Sequence, residues 1–136
     1  MEINRRHLLA GGAAAAAGSL LGNPVLADDE KPHGELPEDA VILIARVVAK
    51  QGDEEVVREA LASLVEPTRK EEGCIHYILH QAKDDKRKFM FYEVWASREA
   101  LKQHGKTPHM KALGPKLKGL TEPDASAGVT FYQLVE

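Results

Sequence analysis

The chain has 136 residues, of which 43% are hydrophobic and 29% are charged, and its formal net charge is −3. This length suits one small globular domain, and a weakly acidic chain without a basic block is a poor nucleic-acid binder. The single cysteine excludes an internal disulfide framework and a zinc site built from several cysteines.

Residues 1–27 are typical of a secretory signal rather than of a folded domain. Arg5 and Arg6 begin a twin-arginine pattern, Leu8–Leu21 is weakly apolar, and Val25–Ala27 fits a signal peptidase site. The sequence therefore predicts a twin-arginine signal peptide with cleavage after Ala27, and a periplasmic or secreted protein. An anchor that stays attached is the alternative. No apolar stretch of about 20 residues follows, so the cleaved protein is not expected to span a membrane.

Residues 28–39 are polar, contain two prolines and lack periodicity, which predicts a linker before a domain at 40–136. The domain begins with a predicted strand, Val41–Lys50, that is almost continuously apolar and β-branched. A helix is predicted next, with Val57, Leu61 and Leu64 on one face. Pro67 is expected to kink or restart this helix.

The remaining predicted elements alternate between strands and helical segments. In chain order they are a strand Cys74–Ala82, a charged turn Lys83–Arg87, a strand Lys88–Ala96, a helix capped by Ser97, short helical turns within Thr107–Leu120, and a last strand Val129–Val135. The order β-α-β-β-α-β predicts a ferredoxin-like α+β fold with an antiparallel sheet and its helices on one side.

The hairpin in the middle of the domain assigns residues to the two faces of the sheet. If it is symmetric about Asp85, residues whose numbers sum to 170 lie opposite each other. Both faces are then largely apolar, and two helices can cover only one of them, which predicts a homodimer with its sheets face to face. The predicted covered face carries Ile75, Tyr77, Leu79, Phe91, Glu93 and Trp95, and the other carries His76, Ile78, His80, Met90, Tyr92 and Val94.

The histidines show no metal-binding spacing. On a strand, the four residues from His76 to His80 span about 13 Å, which is too far for two ligands of one ion. His104 and His109 are separated by the break at Gly105–Pro108, which leaves their convergence open, and no carboxylate or thiolate lies at ligand spacing from them. The sequence therefore predicts no metal site. It also lacks a haem-attachment motif, a dinucleotide loop, a P-loop and a Gly-x-Ser-x-Gly elbow.

Polar side chains on the covered face form the candidate site. Tyr77, Glu93 and Trp95 share this face, and His104 and His109 belong to the segment expected to pack over it. Histidines beside a covered pocket suit a general base. Burial raises the pKa of a carboxyl group such as that of Glu93 unless it is hydrogen-bonded. The alternative is a structural Glu93 that accepts hydrogen bonds from helix N–H groups or from Tyr77.

Three segments resemble the antibiotic biosynthesis monooxygenase family, and most of all its quinol monooxygenase branch: Gly73–Tyr77, Phe91–Leu101, and His104 with Thr107–Met110. The resemblance covers about Val41 to Val135. It implies a dimeric α+β barrel of two ferredoxin-like protomers, each with a pocket between sheet and helices. It also implies an oxidoreductase that uses O₂ and no cofactor to oxidise a small quinol-like or phenolic aromatic substrate.

The resemblance gives the site residues their expected roles. His104 or His109 is the base, Glu93 and Tyr77 orient the base or the substrate, and Phe91 and Trp95 wall the aromatic ring. Two alternatives on the same fold are a non-catalytic periplasmic dimer that binds a small ligand and an isomerase of a small metabolite.

Departures from the family pattern argue against two kinds of member. Phe91 stands where the aromatic-polyketide members have an asparagine. Ile44 or Ala45, His104 and Gly114 stand where the haem-degrading members have their functional residues. Haem degradation is therefore not expected, and the substrate-binding mode of the polyketide members is not expected either.

Overall fold

The computed structural model describes residues 34–135 of the chain. The predicted signal, 1–27, and residues 28–33 of the predicted linker lie outside the described residues. The elements, all within Pro37–Glu136, are β1 (Val41–Val48), α1 (Glu54–Ala62), α2 (Val65–Arg69), β2 (Cys74–Gln81), β3 (Lys88–Trp95), α3 (Arg98–His104), α4 (Pro108–Leu117) and β4 (Gly128–Tyr132). Within the described part of the chain, no helix has the length and apolar character needed to cross a bilayer.

The four strands form one sheet in the order β2-β3-β1-β4, and each neighbouring pair is antiparallel. The ferredoxin-like α+β prediction is confirmed. β1 is central because its apolar, β-branched residues pair with β3 on one side and β4 on the other.

The core lies between the sheet and the helices. Val57 and Leu61 of α1 are fully buried, as the helical spacing predicts, and Leu64 follows them. The chain restarts as the short helix α2 before Pro67 rather than at it, and Pro67 lies inside that helix. The same core takes in one face of β1 and the aromatic residues of β2 and β3: Val41, Leu43, Tyr77, Phe89, Phe91 and Trp95.

The register of the β2–β3 hairpin follows the predicted symmetry over most of its length. Tyr77 lies opposite Glu93 and Leu79 opposite Phe91, as predicted. A bulge between Cys74 and His76 shifts the end of the hairpin, so that Cys74, rather than Ile75, pairs with Trp95. A bulge places an extra residue in one strand of a pair, and Ile75 takes that position.

The second helical region differs from its prediction. Ser97 caps α3 as predicted, because its Oγ accepts a hydrogen bond from the Ala100 N–H at 3.1 Å. The stretch predicted as short turns is instead one ten-residue helix, α4. Pro108 begins that helix, at a position where no N–H is needed, and Pro115 lies in its last turn.

The sheet face away from the helices, here called the open face, is only partly accessible. Ile78 is 38% exposed, while Met90 and Tyr92 are half-buried. Val94 was expected to be exposed in a single chain, but its exposure is 0%. Val94 lies on the inner strand β3 between Ile42 and His76, its partners on β1 and β2, which accounts for this burial.

Candidate active site

Glu71, His104 and His109 converge into one group, here called the Glu71 cluster. Glu71 Oε2 lies 2.8 Å from His104 Nδ1 and 2.9 Å from His109 Nε2. A carboxylate oxygen accepts hydrogen bonds, so each of these ring nitrogens carries a hydrogen and donates an N–H hydrogen bond to Glu71. In a neutral imidazole the second nitrogen then carries the lone pair. These nitrogens are His104 Nε2 and His109 Nδ1.

The local sequence explains why the three side chains meet. His104 ends α3 and His109 is the second residue of α4, so only a short connection separates them. Glu71 lies in the loop between α2 and β2, which contains Gly73 at a φ of +83°. A Cβ on Gly73 would lie 2.6 Å from Ala100 Cβ. The missing side chain therefore lets this loop pack directly against α3.

Aromatic rings of the covered face surround His104. The imidazole centroid lies 4.6 Å from that of Trp95 and 5.5 Å from that of Tyr77. His104 is 4% exposed, and this burial lowers its pKa, while its hydrogen bond to Glu71 acts in the opposite direction. Since the unperturbed histidine pKa is already below neutrality, His104 is a neutral imidazole at pH 7.

Glu93 is a second buried carboxyl group, and its partner is the indole of Trp95. Trp95 Nε1 donates to Glu93 Oε2 at 2.9 Å. Glu93 is 4% exposed, and burial raises its pKa to about 7, with a smaller contribution from the charge of Glu71. The pKa of the neighbouring Tyr77 is raised by burial and by Glu93. Tyr77 therefore remains a neutral phenol.

The structure brings some predicted site residues together and separates others. His104 and His109 meet, an outcome that the sequence left open, and Tyr77 and Trp95 contact the ring of His104. Phe91 lies one layer further away and stacks on Tyr77, with centroids 4.6 Å apart. The carboxylate bonded to the histidines is that of Glu71 and not the predicted Glu93.

Sequence spacing missed Glu71 and the cluster it forms. Glu71 precedes His104 by 33 residues and His109 by 38, so no local pattern connects them. The statement that no carboxylate lies at ligand spacing concerned neighbours along the chain, whereas Glu71 reaches the two histidines through the fold. The one local feature that pointed to this loop was Gly73, which ends the helical segment before β2.

A groove of about 640 Å³ opens beside the cluster, here called the Glu71 groove. It lies between the α2–β2 loop and α3, and its lining includes Glu71, Gly73, Ala100, Gln103 and Thr107. The resemblance implied a pocket between the sheet and the helices. In the described chain, the nearly fully buried rings of Tyr77, Phe91 and Trp95 fill much of that space. The groove reaches Glu71 from the side.

Comparison with known proteins identifies the family. The model of the family named "Antibiotic biosynthesis monooxygenase" matches residues 40–115, which is more than half of the chain. The chain belongs to the antibiotic biosynthesis monooxygenase family. A model of the twin-arginine translocation signal sequence matches residues 2–22, which indicates export across a membrane.

The chain is also similar to individual proteins from several bacteria. "Uncharacterized protein sll1783" of Synechocystis is 29% identical over 117 residues, covering 86% of this chain and 76% of its own. "Putative monooxygenase Rv0793" of Mycobacterium tuberculosis is 35% identical over 69 residues, covering 51% of this chain and 67% of its own. The crystal structure of PA3566 from Pseudomonas aeruginosa has a TM-score of 0.64 at 30% identity, covering 75% of this chain and 98% of its own.

Proposed function

We propose that this chain is a periplasmic or secreted monooxygenase that oxidises a quinol-like or phenolic aromatic with O₂ and without a cofactor. The observation that carries the proposal is the Glu71 cluster, a pair of histidines bonded to one carboxylate beside an aromatic wall. Family membership and the monooxygenase name of one relative support the reaction class.

The reaction balances without an external reductant. A hydroquinone and O₂ give a hydroxyquinone and water: one oxygen atom enters a ring C–H bond, and the other leaves as water. The substrate supplies all four electrons, two in the hydroxylation and two as the hydroquinone becomes a quinone. The protein must remove the phenolic proton, because the phenolate is the more electron-rich form, and must keep water from the anion.

The Glu71 cluster suits the removal of that proton. Each histidine donates one ring N–H to Glu71, so its other nitrogen is oriented as a proton acceptor, and the carboxylate stabilises the imidazolium that forms. The two histidines differ in access, because the side chain of His109 is 20% exposed and that of His104 is 5% exposed. His109 meets a substrate more easily, while His104 contacts the wall formed by Tyr77 and Trp95.

Trp95 and Glu93, which are both buried on the sheet, have supporting roles. Trp95 presents a fixed indole, because Glu93 holds its N–H, and this buried ring packs against the imidazole of His104 and holds it in place. Glu93 positions Trp95 rather than either histidine.

We also propose a homodimer, supported by the partly exposed apolar side chains of the open face, such as Ile78.

Oxygen uptake by the full chain with a panel of hydroquinones tests this function. We expect one O₂ consumed for each hydroxyquinone formed, and one ¹⁸O atom in the product when ¹⁸O₂ is supplied. His109→Gln should slow turnover, whereas the matched variant His80→Gln, on the open face, should not. Binding of the same compounds without O₂ uptake would favour the small-ligand dimer, and an isomerised product without O₂ uptake would favour the isomerase.

A further inference from the structure

We propose that the Glu71 cluster is a binding site for one divalent transition-metal ion, with Glu71, His104 and His109 as its ligands. Each of the three residues offers one ligand atom, and these atoms all lie within 4.8 Å of one another. Two imidazoles and one carboxylate form a ligand set that suits zinc or iron(II), and such sites keep open positions for water or substrate.

The distances within the cluster are close to those that a metal ion requires. Metal–ligand bonds of about 2.0–2.1 Å separate neighbouring ligand atoms by roughly 2.9 Å at octahedral angles and 3.3 Å at tetrahedral angles. The oxygen of Glu71 already lies 2.8 and 2.9 Å from the two nitrogens. An ion that replaced the shared hydrogen bonds would therefore keep these two ligand–ligand separations close to their present lengths.

The third edge of the triangle, between the ligand atoms of the two histidines, is at most 4.8 Å and has the most room to adjust. His104 is fixed by its contacts with Trp95 and Tyr77. His109 lies at the start of α4 and is 20% exposed at its side chain, so it has room to turn toward His104. Glu71 and His104 thus already lie close to ligand positions, and His109 can turn to complete the ligand set.

The surroundings of the cluster favour a cation and leave it open coordination positions. Glu71 lines the Glu71 groove, through which water can reach the ion. The groove also carries Glu72, Glu99 and Lys106, so its charged side chains are three carboxylates and one ammonium group. An excess of negative charge raises the local concentration of cations. The imidazole ligands disfavour Ca²⁺ and Mg²⁺, which prefer oxygen.

This inference concerns the residues of the proposed base but does not depend on the monooxygenase reaction. An ion on these nitrogens would replace the N–H groups that the proposed base donates to Glu71, so one chain does not serve in both ways at once. The ion is bound and measured in the absence of any aromatic substrate. A chain that binds zinc and consumes no O₂ would retain the metal site and lose the proposed function. A chain that consumes O₂ and binds no metal would retain the proposed function and lose the metal site.

Calorimetric titration of the chelator-treated full chain with Zn²⁺ tests the site. We expect one saturable ion per chain with a micromolar or lower Kd, and no comparable binding of Mg²⁺. Glu71→Gln and His109→Gln should each weaken the affinity at least tenfold, since each removes one of three ligands. The matched control His80→Gln, which removes an exposed histidine from the open face, should bind as the unmodified chain does.

A second measurement covers the case in which the cluster variants do not fold, which circular dichroism would show. X-ray absorption of the zinc-loaded unmodified chain should give a first shell of nitrogen and oxygen with the outer-shell scattering of two imidazoles. Absence of saturable binding would overturn the proposal. Unchanged affinity in folded Glu71→Gln and His109→Gln would do the same, as would a zinc shell without two imidazoles.

Discussion

Replacing Glu93 with glutamine isolates the energetic cost of a carboxyl group buried in the covered face of the sheet. Glu93 is 4% exposed and accepts a hydrogen bond from Trp95 Nε1 at 2.9 Å. Glutamine has nearly the same shape, and its amide oxygen can accept the same bond. Glu93→Gln therefore removes the ionisable proton and leaves the packing and the indole contact in place.

The size of the effect follows from the pKa of Glu93 in the folded chain. Burial raises this pKa from 4.5 to about 7, and a difference of 7 − 4.5 = 2.5 corresponds to about 3 kcal/mol. The folded chain binds the proton more tightly than the unfolded chain, so unfolding releases it. The stability that this proton contributes is complete below pH 4.5 and is lost as the pH rises through 7.

Urea unfolding of both proteins at about pH 5 and about pH 8 measures this effect. We expect the free energies of unfolding to be similar at the lower pH, and Glu93→Gln to be more stable by up to about 3 kcal/mol at the higher pH. The exposed Glu66→Gln serves as a control and should show no such difference. If Glu93→Gln has the same advantage at both pH values, or is less stable at the higher one, the argument from burial is wrong.

Three further predictions concern the loop, the histidines and the assembly. Gly73→Ala should lower the free energy of unfolding by about 2–4 kcal/mol, because it adds a contact of 2.6 Å to a strained φ. The control Gly52→Ala has a positive φ but open space around it, so it should lower the free energy of unfolding by less in the same urea titration. Equal losses of stability in the two variants would refute the contact argument. His104→Gln should lower quinol turnover by about 10²-fold or more. Because His104 is buried and bonded to Glu71, the same change should also lower the free energy of unfolding by about 1–3 kcal/mol. If turnover is unchanged, His109→Gln should show that pattern instead, and no loss in either variant would refute a histidine base. Sedimentation equilibrium should give twice the mass of one chain, and a stable monomer would contradict the dimer.

The sequence predicts the sheet well because its information there is local. The apolar runs identify β1, β2 and β3, and a short charged turn fixes the hairpin register, so that Tyr77 opposite Glu93 follows by counting. The bulge at Ile75 breaks this counting. It arises where β2 starts from the Gly73 turn, and hydrophobic alternation carries no record of one extra residue.

The sequence predicts only those site residues whose places are set by the sheet and by α3. Tyr77, Trp95 and His104 follow from strand alternation and from the helix that Ser97 caps. Glu71 does not, because it lies in a loop whose contact with α3 depends on the close approach at Gly73. The helix α4 was underestimated because Pro108 was treated as a break, although proline is favoured at the first position of a helix.

The two buried carboxyl groups also influence each other, and Glu71→Gln tests how strongly. The negative charge of Glu71 is one cause of the raised pKa of Glu93, although burial is the larger cause. Removing that charge should lower the pKa of Glu93, but it should stay above 4.5 because Glu93 remains buried.

Carbon-detected NMR of labelled glutamate carboxyl groups can follow this titration in both proteins. We expect the Glu93 midpoint to lie lower in Glu71→Gln than in the unmodified chain. A midpoint that stays where it was, or rises, would show that Glu71 carries no charge felt at Glu93. Because proton acceptance by the histidines relies on the same carboxylate charge, that result would also remove the electrostatic support for the proposed base. A lowered midpoint would show that Glu71 carries the negative charge on which proton acceptance by the histidines relies.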